Sequence, residues 1–197
     1  YWSNKDKVWN AGGKIYFGTR KYYKDSSVKK WQKKKLTYVP VDFLTGCFLI
    51  FDIDTVNNIG LLSERFFFGE EDYEFALRVR REKKKMAVLT TTTLLHKVGQ
   101  SLKTKEKDSY CTKLFIHHLN RLIDMKIYYS KPIWIIWRYL VILHFGQLVF
   151  GKGASIIECY NYCNNLIRYS DFYNEVDYNL FLKIMNSNML KKLVKVK

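Results

Sequence analysis

Proline is nearly absent from this chain, with two in 197 residues, and glycine numbers only ten. Collagen-like repeats and Pro/Gly-rich low-complexity architectures are thereby excluded. Cysteine is equally scarce: Cys47, Cys111, Cys159 and Cys163 are too few and too scattered for a disulfide scaffold. The opening residues, Tyr1-Trp2-Ser3-Asn4-Lys5, lack the apolar stretch of a secretory signal. A reducing, cytoplasmic setting is the expectation. Acids are outnumbered, 18 Asp and Glu against 34 Lys and Arg, for a formal net charge of +16. Such a surface attracts polyanions: nucleic acid, anionic lipid headgroups or a diphosphate. Charge alone does not choose among them. What the chain does have is 48% hydrophobic and 17% aromatic residues, which excludes a disordered polymer and provides for a core.

The first hundred residues alternate strand and helix signals, which argues α/β. Val8 to Gly18 predicts two short strands around a Gly12-Gly13 turn. Lys29 to Lys35 is a basic stretch expected in solvent. The apolar run from Val41 to Phe51, broken only by Asp42, Thr45 and Gly46, predicts a buried strand. A helix end and a loop are expected over residues 58–69. Glu70 to Lys85 is the clearest helix, with acids in its first turn and bases in its last, both matched to the helix dipole. Met86 to Leu95 follows as a β-branched strand. Residues 105–197 change character: helices are expected over Tyr110–Tyr129, near Cys159 and Cys163, and over Val176–Leu193, with an almost continuously apolar segment from Pro132 to Phe150.

The stretch Phe68-Gly69-Glu70-Glu71-Asp72-Tyr73-Glu74-Phe75-Ala76-Leu77-Arg78 carries the most chemistry. It places carboxylates at the mouth of a helix, where a loop can aim them at a ligand, although acids there also serve simply as helix caps. Arg78 offers either a phosphate ligand or an intrahelical ion pair with Glu74, four residues earlier.

The order of motifs adds to this. Val41-Asp42-Phe43-Leu44-Thr45-Gly46-Cys47, then Ile59-Gly60, Phe67-Phe68-Gly69-Glu70-Glu71-Asp72, Leu77-Arg78 and His96-Lys97-Val98-Gly99-Gln100-Ser101 resembles the family 2 inverting glycosyltransferases of GT-A fold. The likeness is to their rhamnosyltransferase-like, cell-surface polysaccharide branch. Trp9-Asn10-Ala11-Gly12-Gly13 is similar to that branch's Gly-Gly hairpin. His118-Leu119-Asn120-Arg121 is similar to its downstream helix, with Leu119 where Arg is usual. The resemblance covers roughly residues 8–130. It implies a transferase that uses a nucleotide-sugar donor, a glycan or lipid-linked acceptor and a divalent metal, Mn²⁺ or Mg²⁺, as cofactor. By the same likeness Asp72 is the catalytic base and Glu71 its neighbour in acceptor binding. Thr45, Gly46 and Cys47 line the acceptor side, and His96 holds the metal or the diphosphate. An inverting displacement needs a base for the acceptor hydroxyl and groups that stabilise the departing diphosphate. A carboxylate at a helix N-terminus suits the first task.

Other constellations are set aside. Asp52-Ile53-Asp54 has the form of a metal-binding Asp-x-Asp but lies where the resembling family has surface residues. The family's own pair, with its nucleotide pocket, falls before Tyr1, and no Met opens the chain, so these 197 residues are expected to be inactive alone. Cys159, Cys163, His117 and His118 lack zinc-finger spacing. Lys21-Tyr22-Tyr23-Lys24 and Lys29-Lys30-Trp31 offer base stacking, but no recognition motif accompanies them, so nucleic acid is not an expected partner.

Pro132 to Phe150 is close to spanning length. Arg138 near its centre would cost about 2.5–3.5 kcal/mol on insertion scales. An interfacial or protein-buried helix is therefore expected rather than a span. With Lys191, Lys192, Lys195 and Lys197, the C-terminal third reads as a platform on an anionic membrane surface; a helical bundle or homodimer interface is the other reading. The expected fold is α/β: residues 1–104 as the second half of a GT-A mixed sheet, and 105–197 as a mostly helical extension, peripheral on the cytoplasmic face of the membrane. The competing function is a non-catalytic basic module that binds membrane or nucleic acid.

Overall fold

The computed structural model describes residues 7–97 and 109–187. It is mixed α/β and rich in helix, with seven helices and two small antiparallel sheets among the described residues. The chain forms two compact units: residues 1–63 with 71–103, and residues 64–70 with 104–197.

In the first unit, β1 (Gly13–Tyr16) and β2 (Thr19–Tyr22) form a hairpin. Its turn is Phe17-Gly18, both at positive φ, and not the expected Gly12-Gly13. Two left-handed residues give the turn the twist that the strands need. Gly13 serves another purpose. A Cβ there would lie 2.4 Å from both the Lys21 carbonyl and the Phe43 ring, so only glycine lets these segments close.

Helix α1 (Asp25–Lys33) buries none of its residues, in line with a solvated basic stretch. Strand β3 (Tyr38–Val41) pairs antiparallel with β4 (Met86–Leu89). A bridge between Gly13 and Phe43 ties this pair to the hairpin, through Gly13 N–H to the Phe43 carbonyl and Asp42 N–H to the Gly13 carbonyl. The four strands thus form short antiparallel ladders instead of one mixed sheet.

The strand expected from Val41 to Phe51 stops at Val41. Asp42 turns its carboxylate back to the Ile15 amide at 3.0 Å, bending the chain. Phe43 is fully buried, whereas Phe48, Ile50 and Phe51 are exposed. Apolar composition marked a strand, but side-chain hydrogen bonds took the backbone out of the ladder. Met86 to Leu95 is shortened likewise, to Leu89. Helix α2 (Ile53–Ile59) ends at Gly60, whose φ of 77° closes it. Helix α3 (Glu71–Arg81) is shorter than the expected 70–85: Lys83 turns left-handed and the Lys84 N–H reaches back to Val79. Its buried face is Tyr73, Glu74, Phe75, Ala76 and Val79.

The second unit holds α4 (Ser109–Tyr128), α5 (Lys131–Phe150), α6 (Ile156–Phe172) and α7 (Tyr178–Asn186). Pro132 in the first turn of α5 and the Ser155/Glu158 capping box of α6 start those helices where their sequences allow. Phe115, Leu119, Leu122, Phe145, Leu166 and Ile184 form the core among the described residues, each worth about 1.5–3 kcal/mol of apolar burial. Arg138, the charge inside the apolar segment, is buried in this bundle: it pairs with Asp171 and lies 4.4 Å over the Trp134 ring. The last helix ends at Asn186, so Lys191, Lys192, Lys195 and Lys197 lie outside the described residues.

His118 on α4 accepts this core at a cost. Burial lowers its pKa to about 4, against the opposing hydrogen bond from its ring to the Leu114 carbonyl at 2.8 Å. The unfolded imidazole, near 6.5, takes up its proton first, so this stability is present above about pH 6.5 and lost as pH falls toward 4. Replacing His118 with Gln should remove about 2 kcal/mol of the loss in unfolding free energy between neutral pH and pH 5. Chemical denaturation of both proteins across that range checks it; parallel pH profiles would show that His118 titrates equally in both states.

Candidate functional site

Helix α3 begins with adjacent acids, and its first turn fixes where they point. Asp72 is held from two directions: Arg20 of β2 donates to its Oδ1 at 3.3 Å, and the Gly46 backbone N–H donates to its Oδ2 at 3.1 Å. Both side chains are largely enclosed, Arg20 at 19% and Asp72 at 13% exposure. Arg20 is itself steered by aromatic rings, its guanidinium lying 5.4 Å from the Tyr22 centroid, 5.8 Å from Phe43 and 5.9 Å from Tyr73.

The turn Thr45-Gly46-Cys47 thus meets the acids from 26 positions away in sequence. Thr45 Oγ1 and Cys47 Sγ are 3.2 Å apart, which fixes the turn internally. Gly46 faces Glu71: a Cβ placed on it would lie 3.5 Å from Glu71 Oε1. The other Glu71 oxygen, Oε2, is buried without a hydrogen-bond partner. A buried acceptor of this kind is suited to a hydroxyl donor from a ligand. Beside Asp72 opens a cavity of about 400 Å³, walled by Leu44, Phe51, Phe75, Val79 and Met86, with Lys84 and Lys85 adding positive charge.

Five of the six site residues expected from the sequence therefore lie together: Asp72, Glu71, Gly46 and, through the turn, Thr45 and Cys47. His96 does not join them through any such contact. Its ring packs on Trp9 with centroids 4.8 Å apart. Among the described residues no group of three or more His, Cys, Asp and Glu is arranged to hold a metal ion, so these residues alone do not make a complete metal site around His96. Gly99, Gln100 and Ser101 lie outside the described residues.

Asp52 and Asp54 have another use. Asp52 caps α2, accepting from Thr55 N–H at 2.6 Å and Thr55 Oγ1 at 2.9 Å, and these bonds hold its carboxyl below the usual value. Arg78 takes the intrahelical course: its Nε donates to Glu74 Oε1 at 2.9 Å, and its other nitrogens donate to the Ile59 and Leu61 carbonyls. It fastens the end of α2 instead of awaiting a phosphate.

Within the second unit, the loop before α3 is clamped by α4. Glu70, 1% exposed, forms a two-point ion pair with Arg121, and Asn120 Nδ2 donates to the Phe68 carbonyl at 2.7 Å. Gly69 admits the His117 ring so closely that a Cβ would lie 2.7 Å from its Cε1. Sequence reasoning missed Arg20 and this Glu70–Arg121 pair. An arginine among the aromatics Tyr16, Tyr22 and Tyr23 was the one sign of the former, whereas Glu70 and Arg121 each stood in a quoted motif with nothing local to join them. Comparison with known protein families, curated proteins and solved structures finds no match to this chain.

Replacing Arg121 with Met leaves the buried Glu70 carboxylate without its arginine and should cost about 3–5 kcal/mol. The joint replacement with Glu70→Gln should recover part of that. Denaturant midpoints of the three proteins check it; a loss below about 1 kcal/mol in the single variant would mean that the pair is not the buried clamp it resembles.

Proposed function

We propose that the Asp72 site is the acceptor half of an inverting glycosyl-transfer centre of GT-A type, acting on a nucleotide-activated sugar and a glycan or lipid-linked acceptor in cell-surface polysaccharide synthesis. The observation that supports this best is the convergence of Gly46, Glu71 and Asp72 beside a cavity. Two segments 26 positions apart in sequence meet at Asp72, which lines the cavity, and helix capping alone does not call for that meeting.

In this reading the acceptor hydroxyl binds between the acids, and Glu71 Oε2 takes a hydrogen bond from a hydroxyl of the acceptor. As the acceptor oxygen forms its bond to the anomeric carbon, the bond from that carbon to the nucleotide diphosphate breaks. The acceptor's proton passes to Asp72. Arg20 and the Gly46 N–H keep the carboxylate oriented while leaving lone pairs on both oxygens. Because each partner is fixed by packing, the base needs little reorganisation during the step. The leaving diphosphate, and whatever metal accompanies it, is served by residues other than these.

Substituting Asp72 with Asn keeps the shape and removes the base. In the protein as the cell makes it, transfer should fall by about 10²–10⁴-fold while donor affinity stays within a few-fold. Turnover and donor binding measured side by side decide the matter: near-normal turnover would take Asp72 out of the base role, and a parallel loss of donor affinity would make it a binding residue instead.

A further inference from the structure

Among the described residues, a long apolar surface lies in the second unit, on α5. Helix α5 has 20 residues, a mean hydropathy of 1.6 over its most apolar window, and only a third of that window buried. Between Lys131 and Lys152 the single charged residue in the sequence is Arg138, and it is turned into the bundle. The face left outside carries Ile136 at 65% exposure, Leu140 at 57% and Leu143 at 64%, is interrupted by the exposed His144 and Gln147, and ends at Phe150. Ile156, Ile157 and Tyr160, just past the turn that holds Lys152, are exposed at 77%, 74% and 66%. Over about 30 Å, the length of such a helix, the surface presents no charge except at its ends. Water is a poor partner for so long an apolar stripe.

We propose that this face, continued by the α5–α6 tip, docks in the plane of an anionic lipid surface. The geometry excludes a span. The opposite face of α5 is committed to the bundle through Trp134, Trp137, Phe145 and Val149, and Arg138 is paired with Asp171 there. Crossing a bilayer would strip those contacts and carry the arginine into hydrocarbon. Helix α6, packed alongside, contains Glu158, Asn161, Asn164, Asn165 and Arg168 and cannot follow. Docking in the plane leaves all of this in place and buries only the outer stripe.

Charge selects the lipid over a second copy of this chain. Residues 133, 136, 140 and 143 have the three-four spacing that a packed helix pair also uses. Two copies, however, bring net charges of +16 together, with Lys131 and Lys152 bracketing the stripe. Anionic headgroups are attracted to the same lysines. Residues 188–197 add four lysines and no acid to the sequence. This inference is independent of the transfer reading and its test measures no turnover.

The test is flotation of the whole chain with phosphatidylcholine vesicles, with and without phosphatidylglycerol. Wild type should float with the anionic vesicles, much less with neutral ones, and less as salt is raised. The pair Leu140→Glu with Leu143→Glu should weaken flotation at least about tenfold. Since these residues are exposed, circular dichroism should be unchanged; if it is not, Ile156→Gln with Ile157→Gln at the tip decides instead, with the same expected direction. Failure of wild type to float, or wild-type flotation by folded variants, overturns the proposal. A concentration-dependent dimer that these substitutions dissociate, without vesicle binding, assigns the stripe to a second copy and overturns it equally.

Discussion

One carboxylate holds the first unit's irregular parts in register. Its strands are four residues each, too short to specify their own arrangement, and the chain from Leu44 to Phe51 has no ladder at all. Asp72 receives the hairpin through Arg20 and the 44–51 loop through Gly46, so a helix, a strand and a turn share one anchor. Gly13 and Phe43 supply the steric half of the arrangement, closing to a distance that any side chain would forbid. Electrostatics aims the site; packing fixes how far apart its walls stand.

The second unit is organised differently, by long helices with a continuous core. There polar groups act locally. Glu70 and Arg121 neutralise each other out of water, Asn120 satisfies the Phe68 carbonyl, and Trp134 Nε1 donates to the Leu122 carbonyl at 2.9 Å. Each is a buried polar group that would be costly alone and is cheap when paired. Arg138 belongs to the same class, and its pairing explains how an apolar segment near spanning length comes to carry a guanidinium at its middle.

Helices were far more legible than strands in this sequence. The apolar periodicity of Tyr110–Tyr129 and the almost continuous apolar run of Pro132–Phe150 matched α4 and α5 nearly to the residue, because these are local properties of the sequence. The strand forecast at Val41–Phe51 failed since the Asp42 carboxylate accepts from the Ile15 N–H and the Gly46 N–H donates to Asp72, partners that no local window sees. The hairpin was found but its turn misplaced: Gly12-Gly13 carries the stronger sequence signal, yet its lack of side chains serves a contact with Phe43. Motif order singled out Asp72, Glu71 and the 45–47 turn, and the fold brings these residues together. Their mutual contact, and the dependence on Arg20, required three dimensions.

The Arg20–Asp72 contact also sets an order of events. It joins residues 52 positions apart, so closing the loop between them costs about 3.5 kcal/mol in chain entropy before any packing is gained. During synthesis the hairpin leaves the ribosome well ahead of the helix that completes it. Until residue 72 emerges the hairpin and the 44–51 loop lack their shared anchor, and until β4 emerges β3 lacks its ladder partner, leaving its unpaired edge open to other nascent chains. The helical hairpins that follow close through short loops and fold fast once made. The half of the chain made first is thus the half that must wait, and its vulnerable interval lengthens with every pause in translation before residue 89.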